Sequence, residues 1–344
     1  MTTYPAVDRT TEPNRHPDSS HIHELTSPLD HALPQGELGT HGRLQTCRAL
    51  LSEECQRLDD FLLHQPDAQL RVYPPEGTTS IDLGFLRELP ALRNLWLEAN
   101  AGELIDLAVL AGLTDRLRTF TLDTLAPGSD PKRDRPKRST EVLESLQALE
   151  TLSVCGRLQD LRFLGQLHAL ETLSLWRSTL GSLAGLESCA RMRKLELRAT
   201  GVKALDQIEA LADLAFLDVW DLRKLASLDP IARLPRLRQL RLVGCKVDQG
   251  IPSLHGLVDL KVLVIDKLPS VSDLAAIAAA PALRCLVLGG DAAFDVEGLA
   301  ALAGHACLQE VRLDTFDERL WSEIGSRYGW KVGYCNYPAD EYLQ

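Results

Sequence analysis

Apolar residues recur along this chain in a fixed frame: a first residue, a second three positions later, and a third two positions after that. Leu170, Leu173 and Leu175 form the clearest copy. The frame returns at Leu92/Leu95/Leu97, Leu117/Phe120/Leu122, Leu149/Leu152/Val154, Met192/Leu195/Leu197, Leu214/Leu217/Val219, Leu237/Leu240/Leu242, Leu260/Leu263/Ile265, Leu283/Leu286/Leu288 and Leu308/Val311/Leu313, with a degenerate first copy at Leu70/Val72. Successive central residues are 21 to 25 positions apart, except for one interval of 32. Such a period is typical of a solenoid.

Each copy predicts a short strand followed by a tight helical turn. The last two apolar residues of the frame point to one face of a strand, because successive side chains alternate. Leu180, Leu183 and Leu186 then follow at a spacing of three, which favours a short helix or 3₁₀ turn. One unit cannot bury its apolar face, whereas stacked units share a continuous core. The pattern therefore predicts a single solenoid of about eleven rungs over residues 67–316.

The frame resembles that of the leucine-rich repeat family, L-x-x-L-x-L-x-x-N/C-x-L, in its short form. The family's Asn/Cys position is kept at Asn100 and Cys245. Polar residues replace it at Ser178, Thr200 and Asp291, and Arg157, Leu222 and Leu268 depart from it. The resemblance implies an α/β horseshoe with a parallel β-sheet on its concave face and short helices or 3₁₀ turns on its convex face. It also implies a role in protein binding.

The segments outside the repeats predict a tail, two caps and one inserted loop. Residues 1–42 are polar and without periodicity, which predicts a disordered tail. Residues 43–66 have helical apolar spacing and are expected to cap the first rung. Residues 317–344 are expected to form a second cap and tail, with Asp317 starting a helix, Gly329 ending it and a short strand at 330–332. The long interval contains residues 127–138, a basic loop that we expect to be dispensable for folding.

Composition narrows the possible partners and the compartment. The net charge of −11 argues against binding to nucleic acid and favours a basic protein partner. No apolar stretch is long enough to span a membrane, and the first residues do not resemble a secretory signal. The eight cysteines include no C-x-x-C pair, which favours reduced thiols. We therefore expect a cytoplasmic monomer that does not bind membranes.

Motifs of catalysis or cofactor binding are not found in the sequence. No phosphate-binding loop, zinc-protease or serine-hydrolase signature occurs, so we predict a protein that is not an enzyme and needs no cofactor or metal. Cys155 or Cys285 would act as a nucleophile only beside a histidine. His21 and His23 have the spacing of a metal chelate, and the alternative is a solvated tail with chance histidines.

The residues between the leucines are the candidates for binding, because they project into the concavity. Trp176, Arg198 and Trp220 fall on three consecutive rungs, which predicts a guanidinium stacked between two indoles. The remaining candidates are polar or aromatic at Glu196, Phe216, Asp218 and Arg241, and apolar at Val243, Val262, Val264, Cys285 and Val287. Exposed apolar clusters commonly mark binding sites, although β-branched residues also simply favour strands.

The sequence therefore predicts a non-catalytic module that binds a protein or peptide on its concave face. Two alternatives remain open. One is a structural scaffold that recruits partners through the tail and the basic loop. The other is an inhibitor or regulatory subunit of a basic enzyme.

Overall fold

Among the residues that the computed structural model describes, fourteen parallel strands form one open sheet. The structure describes residues 22–26, 29, 33–34, 38, 42–74, 81–98, 107–124, 141–158, 160–247, 250–268, 274–290 and 296–336. The strands are β1 Ile22–Glu24, β2 Arg43–Thr46, β3 Gln69–Val72, β4 Asn94–Glu98, β5 Thr119–Asp123, β6 Thr151–Cys155, β7 Thr172–Trp176, β8 Lys194–Arg198, β9 Phe216–Trp220, β10 Gln239–Val243, β11 Val262–Asp266, β12 Cys285–Gly289, β13 Glu310–Leu313 and β14 Lys331–Tyr334.

The register of the sheet follows the leucine frame. Leu173, Leu195, Leu217 and Leu240 pair in turn across β7 to β10. Each strand pairs with its neighbours in the sequence, so the order of strands in space is the order along the chain. The predicted solenoid, with its sheet on the concave face, is confirmed.

Short helices close the convex side, opposite the sheet. On this side the described part of the chain contains the 3₁₀ helices Gly84–Glu88, Leu107–Gly112, Glu141–Ser145, Arg162–Gln166, Leu186–Ser188, Asp206–Ala210, Asp229–Arg233 and Ala300–Leu302. A single α-helical turn, α2 (Ala275–Ala278), replaces the 3₁₀ helix before β12. The apolar spacing of three explains these turns, since the N–H of Leu186 donates to the carbonyl of Leu183 at 3.0 Å and both side chains lie in the core.

The residue directly after the strand has a left-handed backbone in β6 to β12. It is glycine at positions 156, 244 and 290, and Arg177, Ala199, Asp221 and Lys267 adopt φ of 50° to 54°. After β6 to β10 its N–H donates to the last carbonyl of the next strand, as from Ala199 to Trp220 at 2.7 Å, whereas the N–H of Gly290 donates to the Asp314 carboxylate at 3.3 Å. The left-handed turn therefore extends the ladder of hydrogen bonds beyond the strand.

Side chains at the family's Asn/Cys position support the turn that follows. The thiol of Cys245 donates to the carbonyls of Val219 and Val243 at 3.4 and 3.5 Å, which joins two neighbouring turns. Leu222 and Leu268 are buried at the same position and contribute apolar packing instead of hydrogen bonds. Asn100 and Asp291 lie outside the described residues.

The sheet begins earlier than the sequence indicated. The prediction that residues 1–42 lack regular structure is wrong at β1, and β2 lies in the region assigned to the helical cap. Leu25, Leu29 and Leu38 also belong to the core. Their apolar positions are too sparse to show a period, and β1 is recognised only by its pairing with β2. The predicted N-terminal helix is α1 (Ser52–His64), which lies between β2 and β3.

The C-terminal end of the described chain agrees with the predicted cap. The Asp317 carboxylate accepts hydrogen bonds from the N–H groups of Arg319 and Leu320 at the start of α3 (Glu318–Tyr328). Gly329 ends the helix in the left-handed conformation, with φ of 75°. The basic loop at 127–138 and residues 1–21 lie outside the described part of the chain, so the dispensable loop stays a prediction. Across the described ranges, no helix has the length and apolar character to cross a membrane.

Candidate functional site

The centre of the concave face holds a cluster of polar and charged side chains on β7, β8 and β9. Strand pairing places Glu196 beside Asp218. Arg198 Nη2 lies 2.6 Å from Asp218 Oδ2 and 3.5 Å from Glu196 Oε1, and the Ser174 hydroxyl donates to Glu196. We call Ser174, Glu196, Arg198 and Asp218 the central ionic cluster. The structure therefore brings three of the predicted site residues together.

Asp218 is the most buried charged group of this cluster. Its side chain has no exposed surface, and its Oδ1 atom has no hydrogen-bond partner. Burial raises the pKa of this carboxyl above its ordinary value of 3.8, and the Arg198 cation opposes the shift. Burial is the largest effect, and the neighbouring Glu196 carboxylate raises the pKa further. The Oδ1 atom of Asp218 is therefore an unused hydrogen-bond acceptor. In this buried environment a hydrogen bond is stronger than in water.

The predicted stack of Arg198 between two indoles forms on one side only. The guanidinium carbon of Arg198 lies 5.4 Å from the Trp220 ring centroid. Trp176 instead has Arg177 above its ring, at 5.1 Å. The short bond to Asp218 draws Arg198 toward β9 and away from β7. Both indoles remain half-buried, so each presents part of its ring to solvent.

Phe216 is covered by cations and is not an exposed contact residue. Its side chain is fully buried, with Lys194 Nζ 4.8 Å and Arg241 Cζ 5.0 Å from the ring centroid. The prediction of Phe216 as part of an open binding surface is therefore wrong. Lys194 and Arg241 form the surface above it, and both are half-buried.

The apolar candidates are buried too. Val262, Val264, Cys285 and Val287 are at most 1% exposed and form a small cluster separate from the main core. Val243 is 3% exposed. The prediction of an exposed apolar patch is wrong for these residues. The sequence indicated the face to which these side chains point, and it did not indicate what packs above that face.

A second aromatic site near the start of the sheet was not chosen from the sequence. Trp96 on β4 is 6% exposed, and the guanidinium carbons of Arg43 and Arg71 lie 4.3 and 4.7 Å from its ring. Arg71 Nε also donates to Glu98 at 2.8 Å. Burial, and then the Arg71 charge, lower the pKa of Arg43 to about 10. The sequence did place Trp96 in a concave column. It could not place Arg43 beside Trp96, because the strand β2 was not predicted.

The geometry does not support nucleophilic catalysis at Cys285. Burial, and then the charge of Glu310, raise the pKa of this thiol to about 11, which disfavours the thiolate. His305 does not act as a base for Cys285, because its Nε2 is hydrogen-bonded to the Ala280 carbonyl at 2.7 Å. Among the residues that the structure describes, no group of three or more His, Cys, Asp or Glu side chains is placed to hold a metal ion. His21 lies outside that set.

Comparison with known proteins supports the fold but does not identify a function. No protein-family model matches the sequence, and no curated protein matches it. Among solved structures, the chain is similar to an internalin, InlF, from Listeria monocytogenes, with a TM-score of 0.51, 18% identity and coverage of 80% of this chain and 79% of that one. It is also similar to the functional domain of InlJ from Listeria monocytogenes, with a TM-score of 0.50, 15% identity and coverage of 78% of this chain and 52% of that one. By its repeated frame, its sheet and these likenesses, the chain is a protein of the leucine-rich repeat fold.

Proposed function

We propose that this protein is a non-catalytic interaction module that binds a protein or peptide on its concave face. The observation that carries the proposal is the placement of Trp176, Arg198 and Trp220 on adjacent strands, half-buried, beside a buried carboxylate with an unused acceptor. Tryptophan and arginine are enriched at the residues that dominate binding energy in protein interfaces. A fold alone does not define a function, so the proposal depends on these side chains.

The local charge at this site indicates the chemistry of the partner. The whole chain is acidic, with a net charge of −11, but the concave centre mixes Lys194, Arg198 and Arg241 with Glu196 and Asp218. Such a mixed surface suits a segment that offers both donors and acceptors, such as a polypeptide backbone with polar side chains. It offers less support for the inhibitor of a basic enzyme, which would need a uniformly acidic face.

Removing the first residues of the chain distinguishes the scaffold hypothesis from the interaction module. Residues 1–21 can be deleted without touching β1 or the core residue Leu25. If partner capture survives this deletion but fails on concave substitution, the interaction module is supported. If capture fails on the deletion but survives concave substitution, the scaffold is supported. The cytoplasmic location and the monomeric state stay predictions.

The direct experiment compares capture of partners by concave and surface variants. The immobilised parent, Trp176→Ala and Trp220→Ala are used to retain proteins from the source cell, and the affinity of each retained protein is then measured by titration. Truncating an interface tryptophan typically costs about 2 kcal/mol or more in binding. Val258→Ala is the matched control, because Val258 is 54% exposed and lies outside the concave columns.

The expected result is weaker binding in both tryptophan variants, with the melting temperature unchanged and Val258→Ala equal to the parent. Unchanged binding together with a lower melting temperature would show that the indoles only join neighbouring rungs. That result would contradict the proposal.

A further inference from the structure

Arg43, on the concave side of β2, carries a positive charge that no carboxylate balances among the residues that the structure describes. Its Nε donates to the amide oxygen of Gln69 at 3.1 Å, and its guanidinium carbon lies 4.3 Å from the Trp96 ring centroid. Within the same residues, its two Nη atoms have no hydrogen-bond or ion-pair partner. Because the side chain is half-buried, this unbalanced charge is partly removed from water, which destabilises the free protein.

The carboxylates on nearby strands are already bound by other groups. Glu98 on β4 accepts from both Nε and Nη2 of Arg71. Glu24 on β1 accepts from the side-chain amide of Gln45 at 2.7 Å. Burial, and then the cationic Arg71, lower the pKa of Arg43, and the negative charge of Glu98 opposes them only in part. Arg43 therefore lacks a counter-ion on this part of the described surface.

The indole that contacts Arg43 is a second group that lacks a hydrogen-bond partner. Trp96 is 6% exposed, and its Nε1–H donates to no group of the described chain. Buried N–H groups in native proteins are nearly always hydrogen-bonded, whether to protein, water or a ligand. Arg43 and Trp96 thus offer N–H donors and a positive charge, and their side chains contribute no acceptor. A ligand complementary to them carries acceptors and a negative charge.

We propose that Arg43, held against Trp96, binds a carboxylate of the partner polypeptide on the β2–β4 part of the concave sheet. The two Nη atoms can donate in parallel to the two oxygens of one carboxylate, a geometry that suits the planar guanidinium. The hydrogen bond to Gln69 and the contact with the indole already hold the guanidinium in place, so less conformational freedom is lost on binding. The bound carboxylate supplies the counter-charge that the described chain does not.

The site lies within reach of the tryptophans of the proposed binding surface. Trp96 on β4 and Trp176 on β7 are three strands apart, or about 14 Å at the usual strand spacing. An extended segment of about five residues spans this distance. That the carboxylate belongs to the same partner rests on the proposed function, whereas binding of a carboxylate by Arg43 does not.

NMR of the arginine Nε–H groups in the full-length protein tests the site with three short peptides. The first, acetyl-Gly-Glu-Gly-amide, has a side-chain carboxylate; the second, acetyl-Gly-Gly-Gly, has a terminal carboxylate; and the third, acetyl-Gly-Gln-Gly-amide, has neither. Arg87, which is exposed in a 3₁₀ helix of the convex side, is the internal control. Arg43→Lys and Arg87→Lys assign the two signals, because each variant lacks one of them.

We expect the Arg43 signal to shift saturably with at least one of the two carboxylate peptides, at a concentration about tenfold or more below that needed at Arg87. The neutral peptide should leave the signal in place. The carboxylate peptide that binds more tightly identifies the source of the group as a side chain or a chain terminus. The proposal is overturned if neither carboxylate peptide gives a saturable shift at Arg43, or if the neutral peptide gives an equal one.

Arg43→Met separates a binding role from a structural one, because it removes the charge and keeps an apolar contact with the indole. Binding of the carboxylate peptide, followed at the Trp96 indole N–H signal, should be lost, while the melting temperature should equal or exceed that of the parent. Arg71→Met is the matched control and should lower the melting temperature, because it leaves Glu98 without its ion-pair partner. An equal fall in both variants would show that Arg43 serves the fold and would overturn the proposal. These readouts use no partner, so they and the test of the proposed function can fail separately.

Discussion

Four residues that follow strands adopt a left-handed backbone without being glycine, and this conformation costs free energy. The left-handed region costs an ordinary residue roughly 1–2 kcal/mol because its Cβ approaches the carbonyl oxygen. Ala199, with φ of 50°, is the simplest of the four because its side chain makes no polar contact to lose. We expect Ala199→Gly to raise the free energy of unfolding by about 0.5–1 kcal/mol, after the greater entropy of unfolded glycine is subtracted. Urea denaturation measures this change.

The same position in a neighbouring turn provides the reciprocal control. Gly244 has φ of 64°, and a Cβ added there would lie 3.8 Å from the nearest atoms of Asp221, an ordinary contact. Gly244→Ala should therefore lower stability by about the amount that Ala199→Gly raises it, for conformational reasons alone. Loss of stability in Ala199→Gly would show that the turn is not strained.

Asp218 gives the molecule a specific dependence on pH. Its folded pKa is raised above the ordinary value of 3.8, so the folded state favours the protonated carboxyl. The stability that this group contributes is fully present below pH 3.8 and is lost as the pH rises through the folded pKa. Asp218→Asn cannot ionise and should not show this loss.

We therefore compare the free energy of unfolding of Asp218→Asn with that of the parent. We expect the value for the variant minus the value for the parent to increase as the pH rises from about 4 to about 7. The attraction between the ionised Asp218 carboxylate and Arg198 is already contained in the folded pKa, because burial raises that pKa while Arg198 lowers it. Urea denaturation at several pH values measures the difference. A difference that is flat, or that falls with rising pH, would contradict the raised pKa.

At the scale of elements, the helix α3 depends on one capping side chain. Asp317 accepts from two backbone N–H groups, at 3.0 and 3.1 Å, and Ile324 of the helix is fully buried over the last strands. Replacing an N-cap residue by alanine costs about 1 kcal/mol, whereas asparagine retains the acceptor. We expect Asp317→Ala to lower the melting temperature and Asp317→Asn to lower it much less. Equal effects would point to the charge and the helix dipole instead of the hydrogen bonds.

At the scale of the whole molecule, the N-terminal segment contributes residues to the core. Deleting residues 1–42 removes β1 with Leu25, Leu29 and Leu38, and leaves β2 as a bare sheet edge. We expect this deletion to lower the melting temperature and to promote association, as size-exclusion chromatography would show. Deleting residues 1–21 should do neither. A stable, monomeric 43–344 fragment would contradict this assignment of the core.

A charge placed in the middle of the array tests how the rungs depend on one another. Leu195 is fully buried on β8, and Leu195→Asp would bury an unpaired carboxylate at a cost of about 4 kcal/mol or more. Each repeat contacts mainly its neighbours, so we expect the urea transition to broaden or split. Leu63→Asp is the matched control, because Leu63 is 68% exposed on α1 and should change stability little. A single transition at the parent's midpoint would contradict the register.

The sequence by itself determined the parts of the fold that arise from local periodicity and local chemistry. The apolar frame specified the strands β3 to β13 and their register, because identical repeats stack only when the same positions coincide. Asp317 and Gly329 specified the ends of α3 for reasons of hydrogen bonding and backbone conformation. The concave columns also followed, since side chains alternate along a strand.

Only the tertiary structure decided what each concave side chain contacts. Arg198 had two indoles within reach and joined Trp220, because Asp218 lies on that side. Trp96 gained its arginine neighbour Arg43 through β2, a strand without a periodic signal. Val262 and Val264 pointed to the concave face and are nevertheless buried. The physical reason is that periodicity defines the face of a strand to which a side chain points, whereas burial and ion pairing depend on groups brought there from distant parts of the chain.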